Sequence, residues 1–238
     1  VLDDAVDPNK ETHFCPITYD QGQWGSDITI AWSPVALTVC KHPYEQMVAV
    51  GENGEAYSYG SGHEDNEVIA VRNQTPLDRG GPLRHVRGIG KHAYAVGMKR
   101  QVYRRDGVSK WVAIDKGVYS DKSGVFGFEA VDGFDEKDIY AVGWEGEIWH
   151  LSGMDWSQEE SPTNLILTDV CCAGDGITYI CGQMGTLLAG RNGEWSVIDT
   201  GLSDNLWRLS WFKNCLYVAA YSGIYKLIDH SLVRINIS

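Results

Sequence analysis

The chain has 238 residues, 43% of them hydrophobic and 22% charged, and its 20 basic against 32 acidic side chains give a formal net charge of −12. This is the composition of a folded globular chain rather than a disordered one, and the acid excess argues against a surface for phosphate backbones or anionic membranes while leaving a basic partner as the electrostatic match. No run approaches the roughly eighteen apolar residues of a membrane helix, and VLDDAVDPNK (1–10) lacks the basic start and apolar run of a signal peptide, so the expectation is a soluble, cytoplasmic protein.

In chain order, HFCPITYDQGQWGSDITIAWS (13–33) reads as two strands around a glycine turn. From residue 34 the sequence repeats. A hairpin pattern recurs as VAVGENGEAYSY (48–59), YAVGMKRQVYRR (94–105), YAVGWEGEIWHL (140–151), YICGQMGTLLAG (179–190) and YVAAYSGIYKLI (217–228), with starts 46, 46, 39 and 38 residues apart. Each copy follows a short apolar strand: PVALTVC (34–40), LRHVRGI (83–89), FEAVDGF (128–134), LTDVCCA (167–173) or LWRLSWF (206–212). A second turn and a fourth strand come after it, as in DGVSKWVAID (106–115), GMDWSQEE (153–160) and NGEWSVID (192–199). Four antiparallel strands per repeat at this spacing predict an all-β fold, a β-propeller of five blades over 34–238, with 1–33 an extra hairpin or half of a sixth blade. The whole chain is then one domain. Trp111, Trp156 and Trp195 recur at one place in the fourth strand, and Trp24 takes that place in the N-terminal hairpin. A residue fixed to one repeat position serves the repeat, so these indoles are expected between neighbouring blades.

The six cysteines, Cys15, Cys40, Cys171, Cys172, Cys181 and Cys215, form no C-x-x-C pair. They are expected as reduced core thiols, with Cys171 and Cys172 on opposite faces of one strand.

In a four-stranded blade the turn between the second and third strands lies at the same end as the link between blades. The five turns then form one ring: Glu52-Asn53, Met98-Lys99-Arg100, Trp144-Glu145, Gln183-Met184 and Tyr221-Ser222. A two-residue turn ordinarily takes Asn, Asp or Gly, whereas Trp144, Met184 and Tyr221 put large apolar groups there. Apolar groups gathered on one polar-rimmed face mark an interaction surface, and Glu52, Asn53, Met98, Lys99, Trp144, Glu145, Gln183, Met184 and Tyr221 are its expected residues. The long links RNQTPLDRGGP (72–82) and GVYSDKSGVFG (117–127) lie on the same face.

The run D-I-Y-A-V-G-x-x-G-x-I-x-H-x-x-G-x-x-W (138–156) resembles the repeat of bacterial YVTN, BNR and photosystem-assembly-factor-like β-propellers, with the pattern covering 34–238. The resemblance implies the fold and a binding scaffold; it leaves the partner open. The BNR Asp-box is only approached: TYDQGQW (18–24) is one residue short and RRDGVSKW (104–111) has Asp and Gly adjacent.

No H-E-x-x-H, G-x-S-x-G, Walker loop or G-x-G-x-x-G before a helix occurs. GSGHEDNE (60–67) is acidic but lacks spaced calcium ligands and reads as a solvated turn. The adjacent pairs Asp135-Glu136 and Glu159-Glu160 diverge on a strand and make poor acid–base pairs. The expectation is a non-enzymatic propeller with no cofactor or metal, of inhibitor or immunity type, that blocks a basic protein such as a toxin or nuclease. A carbohydrate-binding lectin and a glycoside hydrolase-like propeller are the alternatives.

Overall fold

The computed structural model describes residues 17–20, 22–25, 29–69, 81–120 and 122–236. It opens with a hairpin, β1 (Thr18–Asp20) and β2 (Gln23–Gly25). Five four-stranded antiparallel sheets follow, each in chain order. Blade 1 holds β3 (Pro34–Cys40), β4 (Gln46–Gly51), β5 (Glu55–Gly60) and β6 (His63–Val68). Blade 2 holds β7 (Leu83–Ile89), β8 (His92–Gly97), β9 (Gln101–Gly107) and β10 (Lys110–Ala113). Blade 3 holds β11 (Phe128–Asp135), β12 (Asp138–Gly143), β13 (Ile148–Ser152) and β14 (Asp155–Glu159). Blade 4 holds β15 (Leu167–Cys172), β16 (Thr178–Gly182), β17 (Leu187–Arg191) and β18 (Glu194–Val197). Blade 5 holds β19 (Leu206–Phe212), β20 (Cys215–Ala220), β21 (Gly223–Ile228) and β22 (Ser231–Arg234). The fold expected from the repeat is the fold observed. Part of the 13–33 segment, most of the 72–82 link and Cys15 lie outside the described residues.

The second strand of a middle blade is covered on both faces, so it reads as an unbroken apolar run rather than an alternation. Ala93–Val96 in β8 and Ile139–Val142 in β12 are all buried. One apolar core lies between each consecutive pair of blades. Val86 and Tyr103 of blade 2 meet Val48 and Cys40 of blade 1. Phe128 and Val131 of blade 3 meet Ile89 and Tyr94 of blade 2. Val170 and Ile180 of blade 4 meet Tyr140 and Ala130 of blade 3, and Leu209 and Val218 of blade 5 meet Cys171 and Tyr179 of blade 4. Cys171 and Cys172 therefore face different neighbours, as expected of adjacent strand residues. The five described cysteines are free thiols.

The recurrent tryptophans join the blades. Each indole N–H donates to the preceding blade: Trp111 to Glu67 Oε2 at 3.0 Å, Trp156 to the Ile114 carbonyl at 2.9 Å, Trp195 to Glu159 Oε2 at 2.8 Å. In blade 5 the register gives this place to Leu232, opposite Leu227 as Trp195 is opposite Gly190. A cleft of about 520 Å³ lies between the outer parts of blades 4 and 5, lined by Tyr179, Ile198, Trp211 and Leu227 with Asp175 and Glu194.

Innermost strands pack in sequence, β3 on β7, β7 on β11, β11 on β15 and β15 on β19, and no comparable packing joins β19 back to β3 among the described residues. The consequence shows in exposure. Leu37 holds the place in β3 that Val86, Val131, Val170 and Leu209 hold in the later blades. It is 55% exposed, against 7% or less for the other four.

Candidate partner-binding face

All five turns between second and third strands lie at one end of the blades, tied there by the links. Leu83 N–H donates to the Glu52 carbonyl, Lys99 N–H to Phe126, Trp144 N–H to Gly127, Gln183 N–H to Ile166 and Tyr221 N–H to Asn205, at 2.8–3.3 Å. The Asp204-Asn205 link also caps two turns at once, Asn205 Oδ1 accepting from Met184 N–H at 3.1 Å and Asp204 Oδ2 from Ser222 N–H at 3.0 Å.

The turn geometry corrects the placing of Trp144. In blade 3 the bond closing the turn runs from Glu147 N–H to the Trp144 carbonyl, at 3.1 Å. The two central residues are Glu145 and Gly146, at φ +57° and +71°. Both central positions of this hairpin turn need positive φ, so the glycine claims the second one and Trp144 stands just before the pair. The same register makes Met184-Gly185 and Lys99-Arg100 the central pairs in blades 4 and 2, closed by Thr186 N–H to Gln183 O and Gln101 N–H to Met98 O.

Exposure sorts the expected residues. Glu52, Asn53, Glu145, Met184 and Tyr221 are exposed at the tips, with Tyr221 88% exposed and Met184 66%. Met98, Lys99, Trp144 and Gln183 are half-buried. Trp144 lies back on its own blade, its indole N–H donating to Glu129 Oε1 at 2.7 Å. Lys99 and Arg100 both lie 4.9 Å from the Phe126 ring. Arg100 also closes on buried Glu147 at 2.6 Å.

Sequence reading missed a second set of residues at this end. In every blade the register between first and second strands slips by one after the first pair. Each slip is a β-bulge, which leaves one residue unpaired and re-aims its side chain: Val35, Arg84, Glu129, Thr168 and Trp207. Arg84 Nε reaches Glu129 at 3.0 Å across the blade boundary, and Thr168 Oγ1 donates to the Leu206 carbonyl at 2.5 Å. Period-2 patterning carries no mark of a slip, which shows only once the two strands are set side by side.

The face is acidic. Arg84 and Arg100 are matched by Glu129 and Glu147, and Lys99 Nζ donates to the Lys122 carbonyl. Glu52 and Glu145 are exposed and beside two concavities. One, of about 400 Å³, is lined by Glu145, Glu147, Glu159, Glu160 and Thr163; the other, of about 420 Å³, by Trp32, Glu52, Asn53 and Glu55.

Deeper along the inner strands lie charges that hold blades together. Arg87 of β7 pairs with Asp132 of β11 at 3.1 Å. Asp169 of β15 accepts from Leu209 N–H of β19 at 2.7 Å, and burial pushes its carboxyl up to about 6 against the pull of that bond and of Arg208. His85 accepts from Val131 N–H at 3.3 Å through Nδ1, and burial, with Arg208 and Arg87 nearby, drives its pKa down to about 3.

The other candidates of the sequence are structural. GSGHEDNE becomes a turn and β6, where Glu67 turns inward to Arg105 and Glu64 accepts from the Tyr57 hydroxyl. Glu136 takes His92, and Glu159 takes Trp195 and His150, so one member of each adjacent carboxylate pair is held in a structural contact. No group of three or more metal-ligating side chains occurs among the described residues.

No family model matches the sequence. Among solved structures, YCF48 bound to a D1 peptide superimposes with a TM-score of 0.61 at 13% identity, over 87% of this chain and 68% of that one. The WD40 β-propeller domain of Doa1 gives 0.61 at 8% identity, over 85% and 68%. These likenesses establish the propeller fold. A curated relative goes further: the immune protein Tsi7 of Pseudomonas aeruginosa is 40% identical over 242 residues, covering 99% of this chain and 79% of that protein. The chain belongs to the family of the immune protein Tsi7.

Proposed function

We propose that this immunity protein is a non-enzymatic inhibitor that binds a protein toxin and blocks it, and that the turn end of the propeller is the surface it uses. The observation that carries the reading is the 40% identity to an immune protein along nearly the whole chain. The geometry supports the choice of face: a rigid end, tied by backbone bonds, carries exposed Tyr221 and Met184 among Glu52, Glu145 and Glu160. Aromatic and methionine anchors inside a polar rim are the usual composition of a protein-binding patch. A basic toxin, such as a nuclease, fits the acid excess there, which steers association more than it adds affinity. The repeat is of the YVTN or BNR kind, used as a scaffold. The free state of the described cysteines favours action in the cytoplasm.

The test is affinity capture from the native source followed by co-expression. The reading expects a stoichiometric protein that arrests growth when expressed alone and is neutralised when this chain is present. A captured protein whose toxicity is unchanged by co-expression contradicts it.

A further inference from the structure

The boundary between blade 5 and blade 1 is unlike the other four. On each blade the side chains alternate between a face toward the preceding blade and a face toward the following one. Blade 5's following face carries Phe212, Ile224 and Ser210, in the places where blade 4 has Ala173, Leu187 and Cys171. In blade 4 those three are buried; in blade 5 all three are exposed, Phe212 at 57%. Blade 1's preceding face exposes Leu37, Val39 and Val68.

A polar clip repeats the asymmetry. At each formed boundary an inner-strand side chain accepts a backbone N–H from the next blade: Thr38 from Gly88 at 2.7 Å, His85 from Val131 at 3.3 Å, Asp132 from Cys172 at 3.0 Å and Asp169 from Leu209 at 2.7 Å. Ser210 stands in blade 5 where Thr38 and Asp132 stand in theirs, and is exposed.

We propose that these two faces are docking surfaces for further blades of the same repeat, supplied in cis, in a ring larger than five. About a fifth of Tsi7 lies outside its matched stretch, room for one to two repeats of roughly 40–45 residues. The β1–β2 hairpin, whose Trp24 sits where the recurrent indoles do yet is exposed, supplies the outer strands of the blade before blade 1. A two-stranded hairpin is marginal alone and gains its stability by joining a sheet. The occupant is a blade rather than a foreign ligand because each exposed side chain has a buried counterpart, at the same register position, that packs on a blade.

The experiment fuses to residues 1–238 the part of Tsi7 that has no counterpart here, at the end where Tsi7 carries it. Hydrogen exchange in β3 and β19 should slow by at least about tenfold in the fusion. Phe212→Ser should leave the melting temperature of the 238-residue chain unchanged and lower that of the fusion. Unchanged exchange in a folded fusion overturns the proposal. Protection of the 238-residue chain that grows with its own concentration assigns the seam to a second copy and also overturns it. Should the fusion fail to fold, Tsi7 itself with serine at the position aligned to Phe212 decides: lost stability supports the proposal, unchanged stability refutes it.

Discussion

Arg105 of blade 2 reaches across the boundary and closes on Glu67 of blade 1, Nη2 to Oε1 at 2.6 Å, with neither side chain exposed. Most polar atoms nearby are drawn in, the buried Gln46 Nε2 being left without a partner. The guanidinium also donates to the His42 carbonyl, Gln46 and Ser58, while Glu67 accepts from Ser58, Ser109 N–H and the Trp111 indole. Burial alone would raise the Glu67 pKa, but the bonds from Arg105 and Ser58 overcome it and hold the carboxylate below its usual range.

Removing one partner of such a pair leaves an uncompensated buried charge. Arg105→Met should therefore destabilise by about 3–5 kcal/mol, and Arg105→Met with Glu67→Leu should cost less than the two single changes added together. Urea unfolding of the three variants measures both quantities.

The two kinds of tryptophan should separate by stability. Trp195 fills a blade boundary and bonds to Glu159, so Trp195→Ala should cost about 3–5 kcal/mol as a deleted core aromatic. Trp144 is half-buried and held by one bond to Glu129; its alanine variant should cost only about 1–2 kcal/mol. Thermal melts of the pair check the order.

Asp169 should set part of the pH dependence. Its folded pKa is raised to about 6 by burial, while the unfolded value is about 3.9, so between these the folded state keeps a proton that the unfolded chain has released. The stability this group contributes is whole below about pH 4 and lost as pH rises to about 6. Asp169→Asn retains an oxygen for Leu209 N–H and has no proton to lose. Relative to wild type it should gain roughly 3 kcal/mol in stability between pH 4 and pH 7. His85 works in the opposite sense: its folded pKa is near 3, so its contribution is present above about pH 6.5 and fades as pH falls. Unfolding free energies of both proteins across that range test the sign.

The blades were legible because a repeat states its period and its turns five times over, as YAVGMKRQVYRR and YAVGWEGEIWHL do. The turn end was legible for the same reason: antiparallel order alone places Glu52, Met184 and Tyr221 together. What escaped was whatever depends on two distant residues at once. Arg105 looks like a surface charge on β9 until Glu67, 38 residues earlier, is set against it. The bulges at Arg84 and Glu129 need the pairing partner to be seen, and the open boundary at Leu37 shows only when neighbouring blades are placed side by side.

The acidic rim should act on encounter. Glu52→Gln with Glu145→Gln should slow association with a basic toxin and weaken its salt dependence, leaving dissociation nearly unchanged, as stopped-flow kinetics at two ionic strengths would read.

Toxin binding at the turn end is tested by the affinity of the captured toxin for Tyr221→Ala with Met184→Ala, beside the melting temperature of the same variant. Both side chains are largely exposed and hold little of the core. Binding should weaken at least about thirtyfold, the cost of losing anchors worth roughly 2 kcal/mol or more, with the melting temperature unmoved. Wild-type affinity in that variant would contradict this and place the interface elsewhere on the molecule.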